Sequence, residues 1–438
     1  MTNKKNVLPY TKVGKKQIKV NMRGKNMNSR RIVISGLGII APTGIGKNGF
    51  WNGISQGQSF VSTITSFDPS NLSSQIAAEA KAFDPSKYLS LKDVKKVGRA
   101  NHFAVAGAME AIADGAFTIK DSELKDIAVI IGTNCGGVSF GEEEMKKFYS
   151  AEQKRMSTYT VTGTFSGGIT GDVSIALNIK GPSFTVSSGL TSGSDSLILA
   201  LQMIKSGIIK TAFAGGVEAC ITPGILTSLC QMGSISTSKN SDPQKASCPF
   251  SLNRDGFVLG EGGWIFILEE LNHAIERGAH IYAEITGYGI NCAPNNKNNR
   301  TKEVSDTIKL ALKESNLNKE EINYICAHGI STISDDVVET KAIKEVFEEK
   351  AYKLPISSIK SMIGYPLGAG GSANVASSIL ALENDFIPPT INFDIPDPDC
   401  DLNYTPNNGI PLKITTVLSL SLGLNSGCSV IILKKYKC

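Results

Sequence analysis

Short runs of β-branched and apolar residues, each ending in glycine, alternate along this chain with stretches of helical period. The runs are 31–38 (RIVISGLG), 127–137 (IAVIIGTNCGG), 211–219 (TAFAGGVEA), 324–329 (YICAHG) and 417–424 (VLSLSLGL). Between them the apolar spacing predicts helices over 102–117, 197–206 and 301–315. Near-continuous apolar runs describe strands covered on both faces. Alternating with helices, they predict an α/β fold with covered sheets. Two segments, 292–301 and 395–409, are rich in Asn, Pro and Asp and read as surface loops. The segment Ile34–Ile39 (ISGLGI) is echoed by Ile285–Ile290 (ITGYGI), which suggests two duplicated halves joined near 271–280. No apolar run reaches the ~18 residues of a membrane span. The most apolar late stretch, Val417 to Leu433, is interrupted by Ser, Asn and Gly.

Composition sharpens this only in places. The 438 residues are 41% hydrophobic and 19% charged, which excludes a wholly disordered, collagen-like or coiled-coil chain. The net charge of +5 comes from one end. Residues 1–31 hold ten Lys or Arg and no acid, leaving 35 bases against 40 acids in the rest. Met27 opens a fresh start directly before the first strand, so residues 1–29 are expected to be a disordered extension. They lack an apolar core and are no secretory signal. Nothing in the remaining chain calls for nucleic acid or a membrane as partner. Nine cysteines at 135, 220, 230, 248, 292, 326, 400, 428 and 438 include no C-x-x-C, and four histidines form no ligand pair. Reduced thiols in a cytoplasmic protein are expected, with no metal and no cofactor.

Two segments invite a chemical reading. Gly36-Leu-Gly38-Ile-Ile-Ala41 fits a dinucleotide fingerprint and follows a strand. However, Pro42 falls where the helix should run, and no acid lies ~20 residues on. The glycines are therefore expected to be structural. In 181–200 (GPSFTVSSGLTSGSDSLILA), a β-rich piece turns through small residues into an apolar helix. Such a turn places one side chain at a helix N-terminus, where backbone donors and the dipole would activate a thiol. Here that side chain is Leu190.

From about Arg30 to the end, the chain resembles the β-ketoacyl-acyl-carrier-protein synthases. The resemblance rests on 249–262 (PFSLNRDGFVLGEG), on 327–332 (AHGIST) with Asp336 and Glu339, on 358–364 (SIKSMIG), on 367–371 (LGAGG) and loosely on 421–427 (SLGLNSG). It implies a thiolase-like duplicated αβαβα layered fold, two similar halves around a shared core. Those halves would be 30–275 and 276–438. In the family a Cys carries the growing acyl chain, two His polarise the malonyl thioester, and a Lys and a Glu support them. By resemblance His328, Lys360 and Glu339 are retained. Leu190 stands at the nucleophile's place, and Tyr365 stands where the second His is expected.

Leucine has no lone pair and no titratable proton, so covalent catalysis there is impossible. A neutral tyrosine with a pKa near ~10 is a poor substitute for imidazole. Losing one donor to a developing oxyanion typically costs ~10²–10³ in rate. Cys326, two residues before His328, and Cys135, in a glycine-rich turn, are candidates for a relocated thiol, though buried inert thiols are commoner. Ser188, Thr191 and Ser192 read as caps of the following helix. Asp336 or Glu339 is expected to hold His328.

The pattern looks like the chain length factor of type II polyketide synthases. That is a non-condensing β subunit which pairs with an active ketosynthase α subunit and shapes its acyl tunnel. An acyl carrier protein would be reached through the α subunit. Chain length factors often carry Gln at the Cys position, so Leu190 is a departure that counts against decarboxylation here. Val138, Gly141 and Met145 share a helix face and, by the same resemblance, would line the tunnel and set product length. Two alternatives stay open: a stand-alone malonyl-carrier-protein decarboxylase or acyltransferase using His328 and Tyr365, and a structural homodimer without acyl chemistry.

Overall fold

The computed structural model describes residues 30–150, 155–293, 300–423 and 427–436. The basic segment 1–29, most of the Asn-rich loop 292–301 and part of the glycine-rich 421–427 lie outside the described residues.

Ten strands form one continuous path. In chain order they are β1 (Ile32–Ala41), β2 (Ile127–Gly132), β3 (Ser183–Val186), β4 (Thr211–Glu218), β5 (Gly262–Glu270), β6 (Ala283–Cys292), β7 (Tyr324–Cys326), β8 (Ile356–Ser357), β9 (Thr416–Leu422) and β10 (Gly427–Lys434). Their spatial order is β8-β7-β9-β10-β6-β1-β5-β4-β2-β3. This path is two copies of one five-strand pattern placed back to back. Reading outward from the join, β1-β5-β4 and β6-β10-β9 are antiparallel, and each is continued by two parallel strands. In the sheet the copies are joined by the pairs Val33↔Glu284 and Ile34↔Ala283.

Seven helices complete the layers. They are α1 (Arg99–Asp114), α2 (Val138–Ser150), α3 (Gly167–Ala176), α4 (Ser192–Lys205), α5 (Thr301–Ser315), α6 (Ile333–Phe347) and α7 (Gly370–Asn384). Helices α4 and α7 pack on each other and on the strands of both copies, so they form the middle layer. Every residue of α7 from Gly370 to Leu382 is buried. A helix apolar or small on all sides is the sequence sign of such a position. Helices α1 and α3 cover one half-sheet from outside, and α5 and α6 cover the other. The result is the five-layered, duplicated α/β architecture expected from the sequence.

The echoed glycines have a packing role. In β1 the pairing slips by one residue between Ile34 and Gly36; in β6 it slips between Ile285 and Gly287. A Cβ on Gly36 would lie 2.6 Å from the Ala111 carbonyl of α1, and one on Gly287 2.6 Å from the Ala311 carbonyl of α5. At Gly38 and Gly289 the distances to Gly107 and Thr307 carbonyls would be 1.7 and 2.3 Å. These strands bulge and let a helix rest directly on their backbone, which only glycine permits. Gly36 and Gly38 therefore seat α1. The substitution Gly38→Ala should lower stability by ~1–3 kcal/mol or more, because the obstacle is backbone and cannot rotate away. An unchanged urea midpoint would contradict this packing.

Candidate functional site

Strand β3 ends at Val186, and the chain turns through Gly189 (φ +88°) into α4. Leu190 lies at this turn and is only 6% exposed. It belongs to an apolar cluster with Cys220, Ile221, Phe257, Leu259, Ile330, Tyr365 and Leu367. Burying a leucine side chain contributes ~1.5–3 kcal/mol. Residue 190 therefore acts as core, although it sits at the mouth of a helix. The hydroxyls around it are occupied. Thr191 Oγ1 donates to Asp195 at 2.8 Å, Ser192 Oγ donates to the Gly189 carbonyl at 2.5 Å, and Ser188 Oγ also donates to Asp195. They hold the turn, but none caps α4 as the sequence reading expected, since the N-cap Thr191 makes no side-chain bond to the helix amides.

His328 follows β7 and is buried. Its ring meets the Tyr365 ring edge to face, with centroids 5.3 Å apart and planes at 89°. Tyr365 in turn stands edge-on to Phe257 at 5.5 Å. Gly370 leaves room for this ring, since a Cβ there would lie 2.8 Å from Tyr365 Cε2. The Tyr365 hydroxyl donates to the Leu422 carbonyl across 3.5 Å. Burial keeps that phenol protonated well above its usual range.

The buried carboxylates near His328 act on the backbone. Glu339 accepts from the amides of His328 at 2.7 Å and Gly329 at 2.8 Å. Asp336 accepts from Ile330 N at 3.1 Å and Phe250 N at 2.8 Å. The expectation that these acids hold His328 is met through the loop's amides rather than through the imidazole. Arg254 ties the same loop to the 249–262 segment: it pairs with Asp397 at 2.6 Å and Asp336 at 3.4 Å and donates to the Thr332 carbonyl at 3.2 Å. Lys360 donates to the Ala327 carbonyl at 3.0 Å and to Asn374 Oδ1. Burial pulls Lys360 down to about 8 and pushes Glu339 up to about 7.

The two cysteines weighed as substitutes part company. Cys326 lies in the main core, with Tyr324 and Met362, and not in the Leu190 cluster. Cys135 packs against the Leu190 cluster and is partly exposed. The other histidines are engaged elsewhere: His273 with Glu269 at 2.6 Å, His280 with Glu383 at 3.0 Å, and His102 with the Val94 carbonyl at 3.0 Å. Of the proposed length residues, Val138 and Met145 are 40% and 47% exposed, whereas Gly141 is buried. A Cβ on Gly141 would lie 2.8 Å from Thr164 Cγ2, so the space this glycine leaves is already taken.

Glu218 escaped the sequence reading. It is fully buried and accepts from Thr133 Oγ1, Asn134 N, Cys135 N and Gly368 N at 2.9–3.1 Å. Its only signal was a lone acid in the apolar run 211–219.

Burial, followed by the charges of Lys360 and Arg300, holds His328 far below the usual imidazole range. Such a residue contributes stability that is present above ~6.5 and lost as pH falls, because only the unfolded chain takes the proton. The stability difference between wild type and His328→Phe should therefore fall by ~1.4 kcal/mol per pH unit below ~6.5. A pH-independent difference would show that the imidazole is protonated in the fold.

Models of the β-ketoacyl synthase N-terminal and C-terminal domains match residues 29–274 and 282–394. The 3-oxoacyl-[acyl-carrier-protein] synthase 2 of Synechocystis is 36% identical over 418 residues, covering 94% of this chain and 100% of the relative. A solved structure described as the ishigamide ketosynthase/chain length factor superposes with a TM-score of 0.86 at 28% identity, covering 93% of this chain and 100% of the other. Another, a type II PKS acyl-carrier protein in complex with its ketosynthase bound to the hexaketide, gives 0.85 at 32% identity over 93% and 100% of the two chains. The chain thus belongs to the β-ketoacyl synthase family.

Proposed function

We propose that this chain is a non-condensing ketosynthase-like β subunit, a chain length factor. It would pair with an active ketosynthase α subunit and shape the acyl tunnel in type II polyketide assembly. One observation carries the reading: at the helix mouth that would hold the acyl-bearing thiol, Leu190 fills a closed apolar cluster. The scaffold around it is complete, with loop 328–332 held by Glu339, Asp336 and Arg254. A protein that keeps the architecture and lacks the nucleophile is suited to support chemistry done elsewhere.

The surface supports a partner. Strand β3 is the outermost strand of the path, and Phe184 on it is 48% exposed. Beside it, Phe165 and Ile175 are 64% and 80% exposed. Helix α3 packs at this edge, where Thr170 meets Thr185 of β3 at 3.0 Å and Thr185 Oγ1 donates to the Ser166 carbonyl at 3.1 Å, so the three exposed residues lie along the same edge of the sheet. An unpaired strand edge flanked by large apolar side chains is a site for another chain. Helix α2 is joined to this face through Gly141 and Thr164, and its exposed Val138 and Met145 would be covered by the same partner. The likeness to a solved structure described as a ketosynthase/chain length factor supports a paired reading.

The stand-alone decarboxylase reading is weaker. It needs His328 and Tyr365 to donate to one substrate oxygen, yet the Tyr365 hydroxyl is directed at the Leu422 carbonyl.

Co-expressed with a Cys-bearing ketosynthase, the chain should co-purify one to one. Phe184→Asp combined with Ile175→Asp should abolish this while leaving the chain folded. A chain that elongates substrates alone, or dimerises only with itself, would contradict the proposal. Within the pair, Val138→Trp should shorten the main product; an unaltered product length would remove Val138 from the tunnel. Gly141→Phe is the poorer test, since it must first displace Thr164.

A further inference from the structure

The turn 133–137 and the end of β4 carry two cysteines that the proposed function does not use. In the parallel ladder Gly132 faces Gly216, so residue 134 falls opposite residue 218. Glu218 then joins the two segments, accepting from Asn134 N at 2.9 Å and Cys135 N at 3.0 Å. Cys220 lies two residues beyond Glu218, on the same side of an extended chain. The Sγ atoms of Cys135 and Cys220 lie within 4.8 Å of each other and of the Glu218 carboxylate.

The two thiols differ in their surroundings. Cys220 is fully buried, whereas Cys135 is partly exposed and accepts a hydrogen bond from Asn134 Nδ2 at 3.4 Å. Its sulfur is followed by the two glycines that precede α2. The neighbouring Cys135 sulfur, then burial, holds the Cys220 thiol protonated well above its usual range. A metal is a poorer occupant. Both Glu218 oxygens already accept two hydrogen bonds each, so the carboxylate has no lone pair to give.

The geometry points to a peroxide-sensitive dithiol in which Cys135 is the attacking residue and Cys220 the resolving one. The Cys135 thiolate attacks one oxygen of a hydroperoxide; the O–O bond breaks, leaving a sulfenic acid and, for hydrogen peroxide, water after protonation. The Cys220 sulfur then attacks the sulfenic sulfur; the S–O bond breaks, and hydroxide leaves as water with the Cys220 proton. Two thiols and one hydrogen peroxide give one disulfide and two waters. The bond would fasten the turn that starts α2 to the end of β4, beside Leu190. This inference stands whether or not the chain is a chain length factor.

Hydrogen peroxide treatment of the purified full chain, followed by alkylation and peptide mapping, tests it. The expected result is an intact mass lower by two hydrogen atoms and a cross-linked pair of peptides carrying Cys135 and Cys220. Both thiols should be lost to alkylation together and recovered with dithiothreitol. Cys135→Ser should remain fully alkylatable at Cys220, and Cys220→Ser should accumulate sulfenic acid at Cys135. A link to the nearby Cys230, over-oxidation of Cys135 without a link, or retention of both thiols would overturn the proposal. Because the wild-type map decides, a poorly folding variant leaves the test intact.

Discussion

Helix α4 begins inside the protein, and its first turn presents the positive end of its dipole to the turn that holds Leu190. What the chain places against that end decides what the pocket can do. A thiol there is drawn toward thiolate and becomes a nucleophile. A leucine gains nothing from the dipole and everything from its apolar neighbours Ile330, Leu367 and Tyr365. Leu190 therefore makes this part of the pocket a packed hydrophobic wall. Tyr365 continues the same wall: its ring packs between His328 and Phe257.

The charged groups around the pocket serve its frame. Glu339, Asp336, Arg254 and Lys360 bind main-chain amides and carbonyls of the loops around the pocket. Those bonds are needed to form the loops, whether or not chemistry follows. Glu218 does the same on the opposite wall, fixing the turn at 133–135 and the amide of Gly368. The frame of this pocket does not depend on chemistry at its centre, because the frame's hydrogen bonds contribute to folding. Removing any of these carboxylates would leave several buried amides unsatisfied.

Much of this was legible in the chain. The strands at 32–41, 127–132, 211–218 and 416–422 announced themselves as near-continuous apolar runs, and the helix at 301–315 by its period. The repeated Ile-x-Gly-x-Gly-Ile pattern foretold the duplication, although the reason for it lay in three dimensions: a helix carbonyl resting on each glycine. The site was less legible. Pattern could place Leu190 and Tyr365, but it could not show that Cys326 lies in the main core, or that the gap at Gly141 is filled by Thr164. Contacts between distant segments, such as Glu218 to Gly368, leave no periodic trace.

The central claim is that this chain never carries the acyl group. Intact-mass analysis of both subunits during turnover of a reconstituted pair, with malonyl-loaded carrier protein, tests it most directly. The account predicts an acyl adduct on the partner's cysteine and none on this chain at any time. An acyl adduct on any side chain of this protein would contradict it.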